Sequence, residues 1–406
     1  MFKIGLLATL VGPFIEMGKE AVRGAELALA EFDDRVAGQP VELVIGETNA
    51  IADSATEAAA DLLDHQDCDL IVGPLAGDEG VAIRDFARQR PDDVFINGSS
   101  ASQALFNLAP NFYSFTSSGA QRMAGLGRYV YSMRGYRRVS TIGAGYSYPF
   151  AQVGGFALEF TRAGGEIAEM HWSALGTEDF SPYIDRIPDN LDAVLCVLSG
   201  RDCIAFIQQY RELKGDTPII TGQSSADTTT LHFLRDYADW LIGSLVAGPV
   251  MNDHPSAGWE AFTARYLAAF PDGLYSPSLF ATAYYTAVKA ALLALESVGG
   301  DLSGGRASLK RALAEMAFET PTGPVRLDHH HLAIINNFIG EIDVLADGTL
   351  YTRMLEQVPQ VNCTLGLPED EYLRIGDFNP HNMPGQVDEN SFMARLKKQR
   401  RSDENS

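Results

Sequence analysis

Short apolar runs alternate along the chain with longer stretches whose apolar residues recur at helical spacing. Residues 3–8 predict a buried strand, and the stretch from 18 to about 32 places Ala21, Ala25, Ala28, Leu29 and Phe32 on one helical face. Strand 41–45, a helix capped by Asp53 and ending near His65, strand 69–72, helix 79–88 and strand 94–96 complete a first series. A second series opens near Gly119 with helix 120–133, strand 138–142, helix 151–162 and strand 166–171. Strand 193–198, helix 203–213 and strand 218–221 continue it. Past Pro249 the pattern turns helical at 259–269, 279–298 and 308–317, and two strand-like runs follow at 334–342 and 349–356.

Strand–helix alternation implies parallel sheets joined by right-handed crossovers. The expected fold class is therefore α/β, with two Rossmann-like lobes; no internal sequence repeat relates them. The length of 406 residues suits two lobes of roughly 100–200 residues each. With 53 acids against 31 bases the net charge is -22, which repels phosphate backbones and anionic lipid and excludes a nucleic-acid partner. No apolar run approaches the roughly 20 residues that span a bilayer. Cys68, Cys196, Cys203 and Cys363 match no zinc spacing, and Cys68 and Cys196, in strand-like apolar runs, read as buried thiols, which leaves the redox compartment open. No basic segment followed by a long apolar one precedes residue 3, so the expectation divides among a trimmed export signal, a start site other than Met1 and a cytoplasmic chain.

Ligands of open α/β sheets bind beyond the carboxyl ends of the strands. Residues 9–18, 73–79 and 97–102 are those loops in the first lobe; they are rich in small and hydroxyl side chains that suit a carboxylate or polar head group. Alternatively, Ser99 and Ser100 merely cap and Gly77 merely turns. In the second lobe the corresponding loops hold Tyr146, Tyr148 and Phe150, then Ser199 to Asp202, then Gln223 to Ser225. Aromatics there can wall an apolar ligand. Arg201 can pair with a ligand carboxylate or with a neighbouring surface acid.

Gly12-Pro13-Phe14-Ile15-Glu16-Met17-Gly18, residues 69–77, Ser99-Ser100-Ala101, the 146–150 loop and residues 322–328 together resemble the type I periplasmic binding proteins. The branch most similar is that of the leucine/isoleucine/valine-binding receptors of ABC transporters, over about residues 3–375 in order. The resemblance implies that Met17, Gly77, Asp78, Ser99, Ser100 and Ala101 face a ligand from the first lobe. It places Tyr146, Tyr148, Arg201 and Ser224 on it from the second, with Phe280 from the late helical region. It implies three crossings between lobes, near 117–119, 247–250 and 328–335, which divides the chain into 1–118 plus 250–328, 119–249 plus 335–375, and a C-terminal extension 376–406. The implied partners are a small solute and a transporter permease, without cofactor, for a periplasmic monomer or weak dimer.

The sequence departs from that pattern where an amino-acid receptor holds the ligand ammonium. Gln223-Ser224-Ser225-Ala226 stands where an acid is expected, with Asp227 just beyond; a hydroxyl near Gly77 is missing, and Met17 replaces a tyrosine. Asp78 is the remaining candidate anion; otherwise the ligand lacks an ammonium. The 146–149 loop also resembles that of amide and urea receptors, including a cytoplasmic amide sensor that controls a regulator. An undetected α/β enzyme is a third reading, but no nucleophile elbow, phosphate loop or His-Glu-x-x-His occurs. His329-His330-His331, read as extended chain, sends neighbouring rings to opposite faces and chelates poorly, so no metal is expected. The pairs Asp33-Asp34 and Asp92-Asp93 read as solvated, and the basic cluster at 397–401 as a frayed tail.

Overall fold

In the computed structural model, which describes residues 1–385, the chain builds two sheets, each covered by helices. The first has six strands in the order Arg35–Val36, Gln39–Thr48, Phe2–Thr9, Leu70–Val72, Phe95–Ile96 and Phe112–Tyr113. All its pairings are parallel except the short hairpin of the first two. Phe2–Thr9 sits centrally, with Leu6 in register with Ile45 on one side and Val72 on the other. Its apolar run has no polar alternation because both faces are buried, as in parallel sheets flanked by helices.

The second sheet has nine strands. Leu245–Gly248, Ile219–Gly222, Ala193–Val197, Arg138–Ala144 and Glu166–Ser173 run parallel. Ala333–Val344 joins Leu245–Gly248 antiparallel and pairs with Leu350–Val361 and with Gly323–Leu327, which itself pairs with Ala317–Thr320. The fold class is thus α/β with two mainly parallel lobes. The chain passes between them three times, through residues 114–120, 249–256 and 315–333. The hairpin 317–327 was not anticipated: it hydrogen-bonds to the second sheet while Val325 packs in the first lobe's core.

Helices Ile15–Ala30 and Leu279–Ser297 pack on the first sheet. Gly24 permits their close approach, since a Cβ there would lie 2.0 Å from the Ala281 carbonyl oxygen. Leu279–Ser297 has 19 residues and a mean hydropathy of 1.2, so it is long and apolar enough to cross a bilayer, contrary to the sequence expectation. Here it is a core helix: Tyr284, Val288, Leu292 and Leu295 are all buried.

Three local readings are corrected. Asp53 lies inside the first turn of Ala52–Asp64, whose N-cap is Ile51. The expected helix 120–133 is a 3-10 turn at Gln121–Met123 followed by Leu126–Met133, interrupted at Gly125 with φ +86°. Ser147, Tyr148, Pro149 and Phe150 form the first turn of helix Ser147–Arg162 and not a loop; proline is tolerated there because first-turn amides have no helical partner. Four free cysteines are all buried. Phe378 and Met383, in the expected C-terminal extension, are buried in the second lobe's core; the basic cluster at 397–401 lies outside the described residues.

Candidate ligand-binding cleft

Four helices begin where the lobes meet. Their N-cap residues are Phe14 for Ile15–Ala30, Ala76 for Gly77–Arg88, Tyr146 for Ser147–Arg162 and Ser199 for Gly200–Lys214. All four line one cavity together with Met17, Leu75, Gly77, Ser99, Ala101, Arg122, Tyr148, Ser224 and Phe280. Among the described residues, none that lines it is acidic. Strand-to-helix geometry brings them together, because each parallel strand delivers its following helix start to the same end of its sheet. Free amides and aligned peptide dipoles at those starts favour a bound anion.

The cavity's cation is Arg122, only 1% exposed. Its side chain donates to the Ser99 carbonyl at 3.1 Å, to Thr116 Oγ1 at 3.4 Å and to the Tyr148 hydroxyl at 3.4 Å. It also lies 5.3 Å from the Tyr148 ring centre, a cation–π distance. Every one of these partners is neutral, and Arg122 Nε has none. A buried guanidinium without a carboxylate is costly, so the position calls for a ligand anion. Sequence reasoning missed it: the pattern predicts one regular helix over 120–133, whereas Arg122 lies in the separate 3-10 turn Gln121–Met123.

The aromatic wall is firmly held. The Tyr148 hydroxyl donates to Ser224 Oγ at 3.0 Å, and burial pushes the Tyr146 phenol well above its ordinary range. Gly77 is needed because a Cβ there would lie 2.8 Å from Ser147 Oγ and 3.3 Å from Tyr148 Cβ, so the lobes touch at this point. Behind the loop, fully buried Glu79 accepts from the Ala76 amide at 3.1 Å and the Ala50 amide at 3.0 Å, and burial pushes its carboxyl up.

Of the residues singled out in the sequence, Met17, Gly77, Ser99, Ala101, Tyr146, Tyr148, Ser224 and Phe280 come together on the cavity. Three do not. Ser100 is turned away, its hydroxyl bonding the Gly77 carbonyl at 3.1 Å. Asp78 is exposed and accepts from Ser147 Oγ across the lobes. Arg201 is exposed and lines an outer cavity with Phe14, Met17, Ile204 and Phe233. Asp227, the acid nearest Ser224 in sequence, spends one oxygen on the Leu279 amide at 2.7 Å and the other on Thr229 Oγ1 at 2.8 Å. Burial lifts it to about 6.

The Periplasmic binding protein family model matches residues 2–349. The Leu/Ile/Val-binding protein homolog 6 of Brucella melitensis is 24% identical over 360 residues, 87% of this chain and 90% of that protein. An ABC transporter substrate-binding protein from Sphaerobacter thermophilus superposes with a TM-score of 0.80 at 26% identity, covering 88% of this chain and 98% of the other. A solute-binding protein of an ABC transporter from Rhodopseudomonas palustris BisB5, solved with 3,4-dihydroxybenzoic acid, gives a TM-score of 0.80 at 24% identity over 89% and 98% of the two chains. The match along most of the chain, with two lobes closing on one cavity, places the protein in the periplasmic binding protein family.

Proposed function

We propose that this protein is the solute-capturing component of an ABC transporter and that its solute is a small carboxylic acid with an aromatic body. The observation that carries the reading is Arg122, buried between the lobes without an acidic partner, in a cavity ringed by helix N-termini and free of carboxylates. An amino acid would bring an ammonium into a cavity whose lining carries no carboxylate, at a desolvation cost of several kcal/mol. Phe14, Tyr146, Tyr148 and Phe280 supply flat apolar walls, and Ser199, Ser224 and the tyrosine hydroxyls offer partners to ring substituents. The relative solved with 3,4-dihydroxybenzoic acid shares the fold and supports the same class.

Catalysis is not part of this reading. The solute docks on one lobe and the other rotates over it, because only contacts to both lobes shift the open–closed equilibrium. We assign 1–118 with 250–328, and 119–249 with 335–375, as the moving units, with the hairpin 317–327 bridging them through its bonds to the second sheet, and the closed pair as the surface offered to a membrane permease by a periplasmic monomer or weak dimer. Calorimetric titration with benzoate, 4-hydroxybenzoate and 3,4-dihydroxybenzoate, set beside leucine, isoleucine and acetamide, tests it. At least one aromatic acid binds with Kd near or below about 10 μM, and leucine at least about tenfold more weakly. Tighter binding of leucine or the amide would reject the assignment.

A further inference from the structure

Outside the cleft, the third passage between the lobes carries a second cluster. The segment after Gly323–Leu327 is a turn, not the extended chain expected from the sequence. Asp328 fixes it: its Oδ1 accepts from the His330 amide at 2.8 Å and the Leu332 amide at 3.0 Å, and its carbonyl from the His331 amide at 3.0 Å. The turn separates the three histidines unequally. His331 stacks on Tyr113 at 4.6 Å, whereas the ring centres of His329 and His330 lie 3.9 Å apart with the planes tilted by 41°. Both present Nε2 to Glu369, the first residue of helix Glu369–Ile375, at 3.2 Å from Oε2 and 3.1 Å from Oε1 respectively.

We propose that His329, His330 and Glu369 bind a divalent transition-metal ion of the zinc class. Their ligand atoms lie within 4.8 Å of one another. Donors about 2.0–2.1 Å from a tetrahedral ion sit roughly 3.4 Å apart, so a small adjustment completes the geometry. The adjustment falls to His329, whose side chain is 72% exposed, while His330 is braced against the Phe106 ring at 4.7 Å. Two imidazoles and one carboxylate select zinc, copper, nickel or cobalt over magnesium and calcium, which prefer all-oxygen sets. Three protein ligands leave a position for water.

The placement gives the ion a structural consequence. Tyr372 and Ile375, on the helix that begins with Glu369, are buried in the second lobe's core. An ion here fastens the third passage to that lobe, 39 residues apart along the chain for His330 and Glu369.

The test uses the full chain, free of any affinity tag and stripped with a chelator. Zinc is titrated by calorimetry and cobalt by visible absorbance, for wild type, E369Q and the H329A/H330A double variant. Wild type takes up one equivalent of zinc with Kd near or below about 10 μM, and each variant binds at least about tenfold more weakly. Added zinc raises the melting temperature of wild type and not of the double variant. Far-ultraviolet circular dichroism matching that of wild type in the absence of metal confirms that the variants fold. No uptake by wild type, or a loss smaller than tenfold in the double variant, overturns the proposal, whatever the solute in the cleft turns out to be.

Discussion

The Arg122 side chain, rooted in the second lobe, donates to the Ser99 carbonyl of the first at 3.1 Å. One group therefore registers whether the lobes are together, and it does so at the place where a solute's anion would lie. Under the proposed hinge motion, an opened cleft would return the guanidinium to water and a closed one would call for a partner of opposite charge.

Arg122 is expected to govern affinity and Arg201 is not. R122Q should weaken binding of the aromatic acid roughly 100-fold, as loss of a buried charge-assisted pair does. R201A should change it by about threefold or less, because an exposed arginine at the rim is screened by solvent. Calorimetry on the two variants separates the sites. Equal losses would return Arg201 to the first rank of contacts.

Gly77 sits where the first lobe meets the helix start of the second. A Cβ would press on Ser147 Oγ at 2.8 Å and Tyr148 Cβ at 3.3 Å, and the second atom is fixed to the backbone. G77A is expected to raise the solute Kd about tenfold by opposing closure, a cost in the usual range for overpacking. The ligand-free melting temperature should stay near that of wild type. A large fall in that temperature would make Gly77 a folding residue and not a closure residue.

Acid should loosen the first lobe through Glu31. Burial alone would raise its carboxyl, but Lys289, Tyr285 and Arg265 hold it at about 2 against an ordinary 4.5. Its oxygens accept from Lys289 and Arg265 at 2.8 Å each, and from the Tyr285 hydroxyl, tying three helices together. A depressed carboxylate contributes stability above its unfolded value and loses it as pH falls through the folded one, here from about 4.5 to about 2. E31Q should cost about 1–2 kcal/mol at neutral pH, discounted for partial exposure. The gap from wild type in denaturant midpoints should close towards pH 2. A gap independent of pH would mean that the hydrogen bonds, and not the charge, do the stabilising.

The regular parts of the fold are legible because they are periodic. Phe2–Thr9 and Leu279–Ser297 are apolar enough to declare themselves, and the strand–helix rhythm implies both parallel sheets. What hides is local and set by tertiary contact. Gly125 breaks a pattern that looks continuous, with a Cβ there 2.6 Å from Val358, a partner 233 positions away. Arg122 falls in the short turn before that break and is buried, whereas the family resemblance points to Arg201, which the structure leaves exposed. Likewise Asp328 makes a turn where the histidine run reads as extended chain, and two histidines that should diverge converge instead.

A crystal structure of the protein with the tightest-binding aromatic carboxylate is the most direct trial. The account predicts the carboxylate on the Arg122 guanidinium, with the ring between Phe14, Tyr146, Tyr148 and Phe280 and both lobes in contact. A solute held elsewhere, or one seated in this cavity with Arg122 still facing only neutral partners, would contradict it.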